Sequence, residues 1–270
     1  MKIITFCSIK GGVGKTSALT LSARCVAEYL SETQRGKVLV IDLDANRSAT
    51  MALLSFKKIK EIDQQGKHAA SAFFRKTGLQ NFVTKSIFQN LYIVAGHGQI
   101  TEIQISQLML RNLINESDLS EYEYIFIDLP ATYYGLHTMA LTVADKIITP
   151  VNLDYYNLEA TIQLKRKLEQ DFGRDILSKW TIFTNRQKKR QSIDDEEYFE
   201  NFRNVKYPDG SFMFKDNFSD VTLFETVLTR RCADQKYYVS RNRMFEGFHD
   251  VICKLASEVT GEEIRPQELF

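Results

Sequence analysis

The run Ile9-Lys10-Gly11-Gly12-Val13-Gly14-Lys15-Thr16-Ser17 has the residue types needed to hold a polyphosphate. Glycines let backbone N–H groups turn inward toward an anion, and a helix opening directly behind them adds the partial positive charge of its N-terminus. In that setting Lys15 reaches the β- and γ-phosphates and the Thr16 hydroxyl ligates Mg²⁺. Ile9 stands where the general phosphate loop has its first glycine, so the strict pattern fails. What the chain has instead is a second lysine, Lys10, at the head of the loop. Three carboxylates fit the same chemistry. Asp42 and Asp44 fall within residues 38–46 (VLVIDLDAN), and Asp128 ends 124–128 (YIFID). Single strand-end aspartates are common. Three at strand C-termini, where doubly wound sheets bind ligands, point to metal and water beside a phosphate.

The elements that must position these residues are legible as an alternation. Apolar runs at 2–7, 37–43, 90–95, 124–128, 146–151 and 180–184 read as strands, and they are continuous rather than alternating, as strands covered on both faces are. Between them the pattern predicts helices over 15–32, 104–115, 135–143 and 158–172. A last helix spans 244–259, where Phe245, Phe248, Ile252, Leu255 and Val259 fall on one face. Strand–helix–strand alternation argues an α/β, doubly wound, mainly parallel sheet with helices on both faces. Residues 55–90 fit the rhythm less well and read as a helical excursion at the sheet edge. Tyr207-Pro208-Asp209-Gly210 is a turn signal within 204–221, which reads as a small hairpin inserted before a last strand at 222–228. No repeat and no linker rich in Pro, Gly or Ser interrupts residues 1–270, so a single domain is expected.

Composition narrows the class. The 270 residues are 44% hydrophobic and 26% charged, with a net charge of +1, which excludes a disordered chain and a globally basic nucleic-acid protein. No apolar run approaches a membrane span, and the N-terminus enters the glycine motif without a cleavable signal pattern. Cys7, Cys25, Cys232 and Cys253 are scattered. They predict a reducing, cytoplasmic setting and carry no zinc or iron–sulfur signature.

With strand, loop and helix in this order, the segment 10–16 resembles the deviant Walker A loop of the ParA/MinD superfamily of P-loop ATPases. Residues 38–46 resemble that family's second acidic motif, with Ala45-Asn46 in place of its usual Pro-Gln. Residues 124–132 resemble its Walker B strand and switch, and residues 144–160 the segment that follows. Leu129-Pro130 and the 144–160 stretch point to the ParA branch more than to MinD. The resemblance implies ATP/ADP and Mg²⁺ as cofactors, with residues 10–17 on the phosphates and Thr16, Asp42 and Asp128 supporting the metal. It implies that Asp44 orients the attacking water, that Lys10 reaches across a homodimer to the partner's nucleotide, and that Asn185 contacts adenine. It also implies ATP-driven dimerisation, DNA binding without sequence preference, nucleoid association in the ATP state, and a ParB-like partner that stimulates hydrolysis.

Local charge is the test of DNA binding within the sequence. The stretch 230–243 (RRCADQKYYVSRNR) carries Arg230, Arg231, Lys236, Arg241 and Arg243 against a single Asp234, with Tyr237 and Tyr238 interleaved. A second group, Arg186, Lys188, Lys189 and Arg190, follows the sixth apolar run but is trailed by Asp194-Asp195-Glu196-Glu197. The family takes DNA contacts from both regions. A MinD-like membrane-positioning ATPase would end in a basic amphipathic helix, whereas this chain ends acidic and broken by Pro266, so no membrane partner is expected. A positioning ATPase for a protein cargo is the alternative that sequence separates least. The four histidines have no clustered ligands in sequence and read as packing residues, and Tyr133-Tyr134 and Tyr155-Tyr156 read as packing on the sheet faces.

Overall fold

The computed structural model describes residues 1–187, 199–207, 213–214, 217–224 and 248–266. Eight strands form one sheet: β1 Lys2–Phe6, β2 Lys37–Asp42, β3 Val83–Lys85, β4 Leu91–Val94, β5 Tyr122–Asp128, β6 Lys146–Asn152, β7 Trp180–Gln187 and β8 Phe218–Phe224. Their order is β3-β4-β2-β5-β1-β6-β7-β8. Every neighbour pair is parallel except β3 with β4. The helices are α1 Lys15–Glu32, α2 Ser48–Leu53, α3 Phe56–Gln65, α4 Ala69–Arg75, α5 Met109–Asn115, α6 Gly135–Val143, α7 Tyr155–Phe172 and α8 Phe248–Thr260. This is the doubly wound, mainly parallel α/β architecture expected, and no helix among the described residues is long and apolar enough to cross a membrane.

Both faces of the central strands β1, β2, β5 and β6 are buried, which is why these strands carry no polar face. Ile3, Leu39, Ile41, Ile125, Ile127 and Ile147 point into one core, shared with α4, α5, α6 and α7. Their neighbours Ile4, Phe6, Val38, Val40, Phe126 and Ile148 point into the other, shared with α1 and α8. β1 lies between β5 and β6, so the loop after it emerges at the middle of the sheet. Register does the rest. Phe6 is level with Asp128, and Asp128 with Asp42, so the phosphate-loop root and two of the three carboxylates leave the sheet in one row.

Several expectations shift. β3 is a three-residue antiparallel edge strand (Val-Thr-Lys) inside the 55–90 excursion, too short to give a period. The helix expected from 104 begins at Met109, preceded by a 3₁₀ turn over Gly98–Glu102. β8 opens at Phe218, inside the stretch assigned to the hairpin, and the flanks Val205 and Met213 are joined by one backbone hydrogen bond, Met213 N–H to Val205 O, at 2.8 Å. Residues 199–207 and 213–214 are tied together and to α7: Phe214 stacks on Phe202 with centroids 4.5 Å apart, and the Tyr207 hydroxyl donates to Glu169 of α7.

Candidate active site

The loop after β1 closes around left-handed backbone at two glycines. Gly12 has φ +77° and Gly14 φ +88°, a region that L side chains rarely adopt. Gly14 is also the N-cap of α1, so the helix starts at Lys15 and its first N–H groups face the loop. Val13 is buried beneath the turn, while Lys10, Gly11 and Gly12 stay on the surface. Lys15 is buried, and Thr16 and Ser17 are half-buried in the first turn of α1.

Beneath this loop the three aspartates divide the work. Asp128 accepts from the Thr16 hydroxyl at 2.8 Å through Oδ2. Its other oxygen, Oδ1, is buried with no hydrogen-bond partner. Burial, and then the charge of Asp42, push the Asp128 carboxyl up to about 8 against the opposing pull of Thr16 and Lys15. A buried carboxylate with one bare oxygen beside a threonine hydroxyl and a lysine is a site short of positive charge. The residues present therefore fit a hard divalent cation such as Mg²⁺, with Thr16 and Asp128 as the groups that would hold it.

Asp42 was expected beside them on the metal, and the structure gives it another task. Its Oδ2 accepts from the Thr50 N–H (2.9 Å) and the Thr50 hydroxyl (2.7 Å), and its Oδ1 from the Asp44 N–H (3.0 Å). Gly96 packs so closely that an added Cβ would stand 2.8 Å from the Asp42 Cγ. Asp42 is thus a brace between the end of β2 and α2. Burial still raises its carboxyl to about 6 despite those bonds. Asp44, one turn further on, is almost covered. Its Oδ1 accepts from the Asn46 N–H at 2.9 Å, which orients the carboxylate.

Asn185, expected at adenine, is fully buried at the end of β7, and its side-chain amide donates to the Val13 carbonyl. It ties the phosphate loop to the sheet. Lys188, Lys189, Arg190, Arg230, Arg231, Lys236, Arg241 and Arg243 all lie outside the described residues.

Sequence reasoning passed over four neighbours of the site. His137 on α6 is wholly buried and close enough to Lys15 for the two charges to interact. Burial and Lys15 drive its ring down to about 3, so it is neutral. Tyr134 is near enough to Asp44 that the carboxylate contributes to raising its phenol. Tyr155 and Tyr156 do not pack the sheet: they are 55% and 72% exposed, and Tyr156 lies beside Lys10. A histidine three residues after a tyrosine pair carries no sequence signature, whereas the polar surroundings of Tyr155-Tyr156 (Asn152, Asp154, Asn157) were a usable sign of exposure.

The AAA_31 family model, an AAA domain, matches residues 1–174. The sporulation initiation inhibitor protein Soj of Bacillus subtilis is 26% identical over 193 residues, 68% of this chain and 72% of Soj. The cell division protein PomZ of Myxococcus xanthus is 28% identical over 178 residues, 62% of this chain and 52% of PomZ. The chromosome partitioning protein ParA of the same organism is 27% identical over 62% of this chain and 58% of that protein. Among solved structures, a plasmid partition protein of Borrelia burgdorferi bound to AMPPNP superposes with TM-score 0.67 at 18% identity, covering 95% of this chain and 98% of that one. The pNOB8 ParA bound to nonspecific DNA gives 0.66 at 18% identity over 96% and 97%. Matches at that identity speak for the fold alone.

Proposed function

The chain belongs to the AAA_31 family, with the ParA/MinD-type partition ATPases as its relatives, and on that premise we propose that it is an ATP-dependent, dimerising ATPase that binds DNA without sequence preference. In this reading it segregates plasmid or chromosomal DNA with a ParB-like partner. The observation that carries the nucleotide half of the proposal is the pair Thr16–Asp128 under a glycine loop, with the Asp128 Oδ1 buried and bare.

The chemistry is positioning and charge neutralisation. The loop N–H groups and Lys15 gather the triphosphate. Thr16 and Asp128 would hold Mg²⁺, which when bound would supply charge neutralisation to the triphosphate. Asp44, oriented through Asn46 and beside Tyr134, aligns the attacking water and takes its proton. Asp42 keeps the turn that carries Asp44 fixed to α2 through Thr50. Asn185 and the buried Val13 hold the loop's inner wall. Lys10, alone on the outer rim, completes the site of a second protomer, so that hydrolysis needs the dimer.

The DNA half is supported by the basic stretch 230–243 and by the complex of one structural relative, the pNOB8 ParA, with nonspecific DNA. Fluorescence anisotropy of an arbitrary duplex tests it. Binding is expected to be weak without nucleotide and with ADP, and tight and sequence-indifferent with ATP and Mg²⁺. An ATP-bound dimer that ignores DNA at low salt would move the chain to the second reading, a positioning ATPase for a protein cargo, which its similarity to PomZ favours.

A further inference from the structure

Lys10 does not hang free in the single subunit. Its ammonium lies over the Tyr156 ring, 5.8 Å from the centroid. Both sides of this contact are built. The Ser8 hydroxyl accepts from the Lys10 N–H at 3.2 Å and faces the Lys10 carbonyl at 3.4 Å, which fixes the root of the lysine. On the other side, Asp154 caps α7. Its carboxylate accepts from the Asn157 N–H at 3.0 Å and from the Asn157 side-chain amide, which fixes the turn that carries the tyrosines. Tyr155 then stands edge-on to Tyr156, with centroids 5.6 Å apart and planes at 82°, and holds the ring upright. Tyr156 is 72% exposed, so packing does not account for its presence, and among the described residues no carboxylate pairs with Lys10.

We propose that Tyr156 is a positioning residue: it seats Lys10 in the single subunit, and ATP-driven dimerisation has to lift Lys10 off that seat. The proposal rests on the cross-subunit role given to Lys10 above. An aromatic face attracts an ammonium weakly when both are exposed to water. A triphosphate offered by a second protomer concentrates negative charge and outcompetes the ring, whereas a single subunit in solution offers Lys10 nothing better. The seat therefore sets a threshold. It keeps Lys10 folded against its own α7 until nucleotide and partner arrive together, and it takes Lys10 back when the dimer opens.

The variants are Tyr156→Leu, which removes the ring and keeps apolar bulk, and Tyr156→Phe, which keeps the ring face. Sedimentation with a non-hydrolysable ATP analogue gives the dimer dissociation constant. Tyr156→Leu is expected to dimerise more tightly, by about 2- to 5-fold per seat and so about 4- to 25-fold for the two seats of a dimer, with Tyr156→Phe near wild type. In a Lys10→Ala background, Tyr156→Leu should change nothing. Dimerisation that is unchanged or weaker in Tyr156→Leu overturns the threshold. A second readout needs no dimer. In nucleotide-free protein carrying ¹³C-dimethylated lysines, the Lys10 resonance, assigned by its loss in Lys10→Ala, should be shifted upfield by the ring, return to the free position in Tyr156→Leu, and stay shifted in Tyr156→Phe. An unshifted Lys10 resonance in the wild type overturns the seat itself. If Lys10→Ala dimerises like wild type, the cross-subunit reading falls and the threshold with it, while the resonance separately reports the contact.

Discussion

At the scale of single residues, the three aspartates look alike in sequence and are separated by what their oxygens touch. Asp42 uses both oxygens on Thr50 and Asp44, Asp128 uses one on Thr16, and Asp44 gives one to the Asn46 N–H. On the proposed function Asp44 is the one left to work on water, because Asp42 braces Thr50 and Asp128 faces Thr16. Asp44→Ala is expected to retain ATP binding, to lose turnover by about 10²-fold or more, and to accumulate as an ATP-bound dimer. Turnover and sedimentation with ATP measure both effects, and near-normal turnover would assign the water to another group. The residue types at the site were legible because phosphate and cation chemistry demand glycine, lysine, threonine and aspartate at fixed places. The division among the aspartates was not, because the partner that defines Asp42 is Thr50 on the next helix, and nothing in Asp-x-Asp announces it. The contact of Asn185 was equally hidden: a strand-end asparagine can face a base or the neighbouring loop, and here its amide donates to Val13.

At the scale of elements, the best-read ones have hard punctuation. α1 runs Lys15–Glu32 as expected because Gly14 forces its start, and α6 runs Gly135–Val143 as expected. The excursion between β2 and β4 was unreadable because its short helices are capped by side chains instead. Ser55 caps α3, and His68 caps α4 by accepting from the Ser71 N–H at 3.2 Å. His97 caps the following 3₁₀ turn through Gln99, and the two imidazoles stack with centroids 3.9 Å apart and planes at 8°. A histidine can cap in this way only while it is neutral. Burial, and then the neighbouring His97, Arg47 and Arg75 working against Asp63, lower His68 from an ordinary 6.5 to about 4. The unfolded chain therefore binds more protons than the folded one between those values. Stability from this group is complete above pH 6.5 and is lost as pH falls toward 4. His68→Asn keeps a capping oxygen and cannot titrate. Chemical denaturation at pH 7 and at pH 4 should show a smaller acid loss for the variant than for wild type. Equal losses would mean that His68 does not contribute to the acid sensitivity.

At the scale of the whole molecule, the fold sets one row of groups on the C-terminal edge of the sheet and leaves the basic stretch 230–243 bounded by β8 at one end and α8 at the other. α8 packs on α1, the helix that opens at the phosphate loop. The chain as a whole is close to neutral, at +1, while residues 230–243 hold five cationic side chains against one acidic one. Such a local excess binds DNA weakly in one copy. Two copies brought together by an ATP sandwich double the phosphate contacts, and counterion release makes log affinity fall against log salt with a slope of about 0.9 per contact. On the proposed function, ATP would then switch DNA binding by assembling the surface and without touching DNA. Arg230→Glu with Arg231→Glu removes two contacts per protomer and four per dimer, so the salt slope should drop by about 3 to 4 and binding at physiological salt should vanish, while ATP-dependent dimerisation persists. Anisotropy titrations of one duplex at several salt concentrations, paired with sedimentation of the same variant, measure both quantities. A slope unchanged by the two reversals would place the DNA surface elsewhere on the dimer. A slope that falls only because the dimer is lost would make these arginines part of the sandwich rather than of its DNA-binding face.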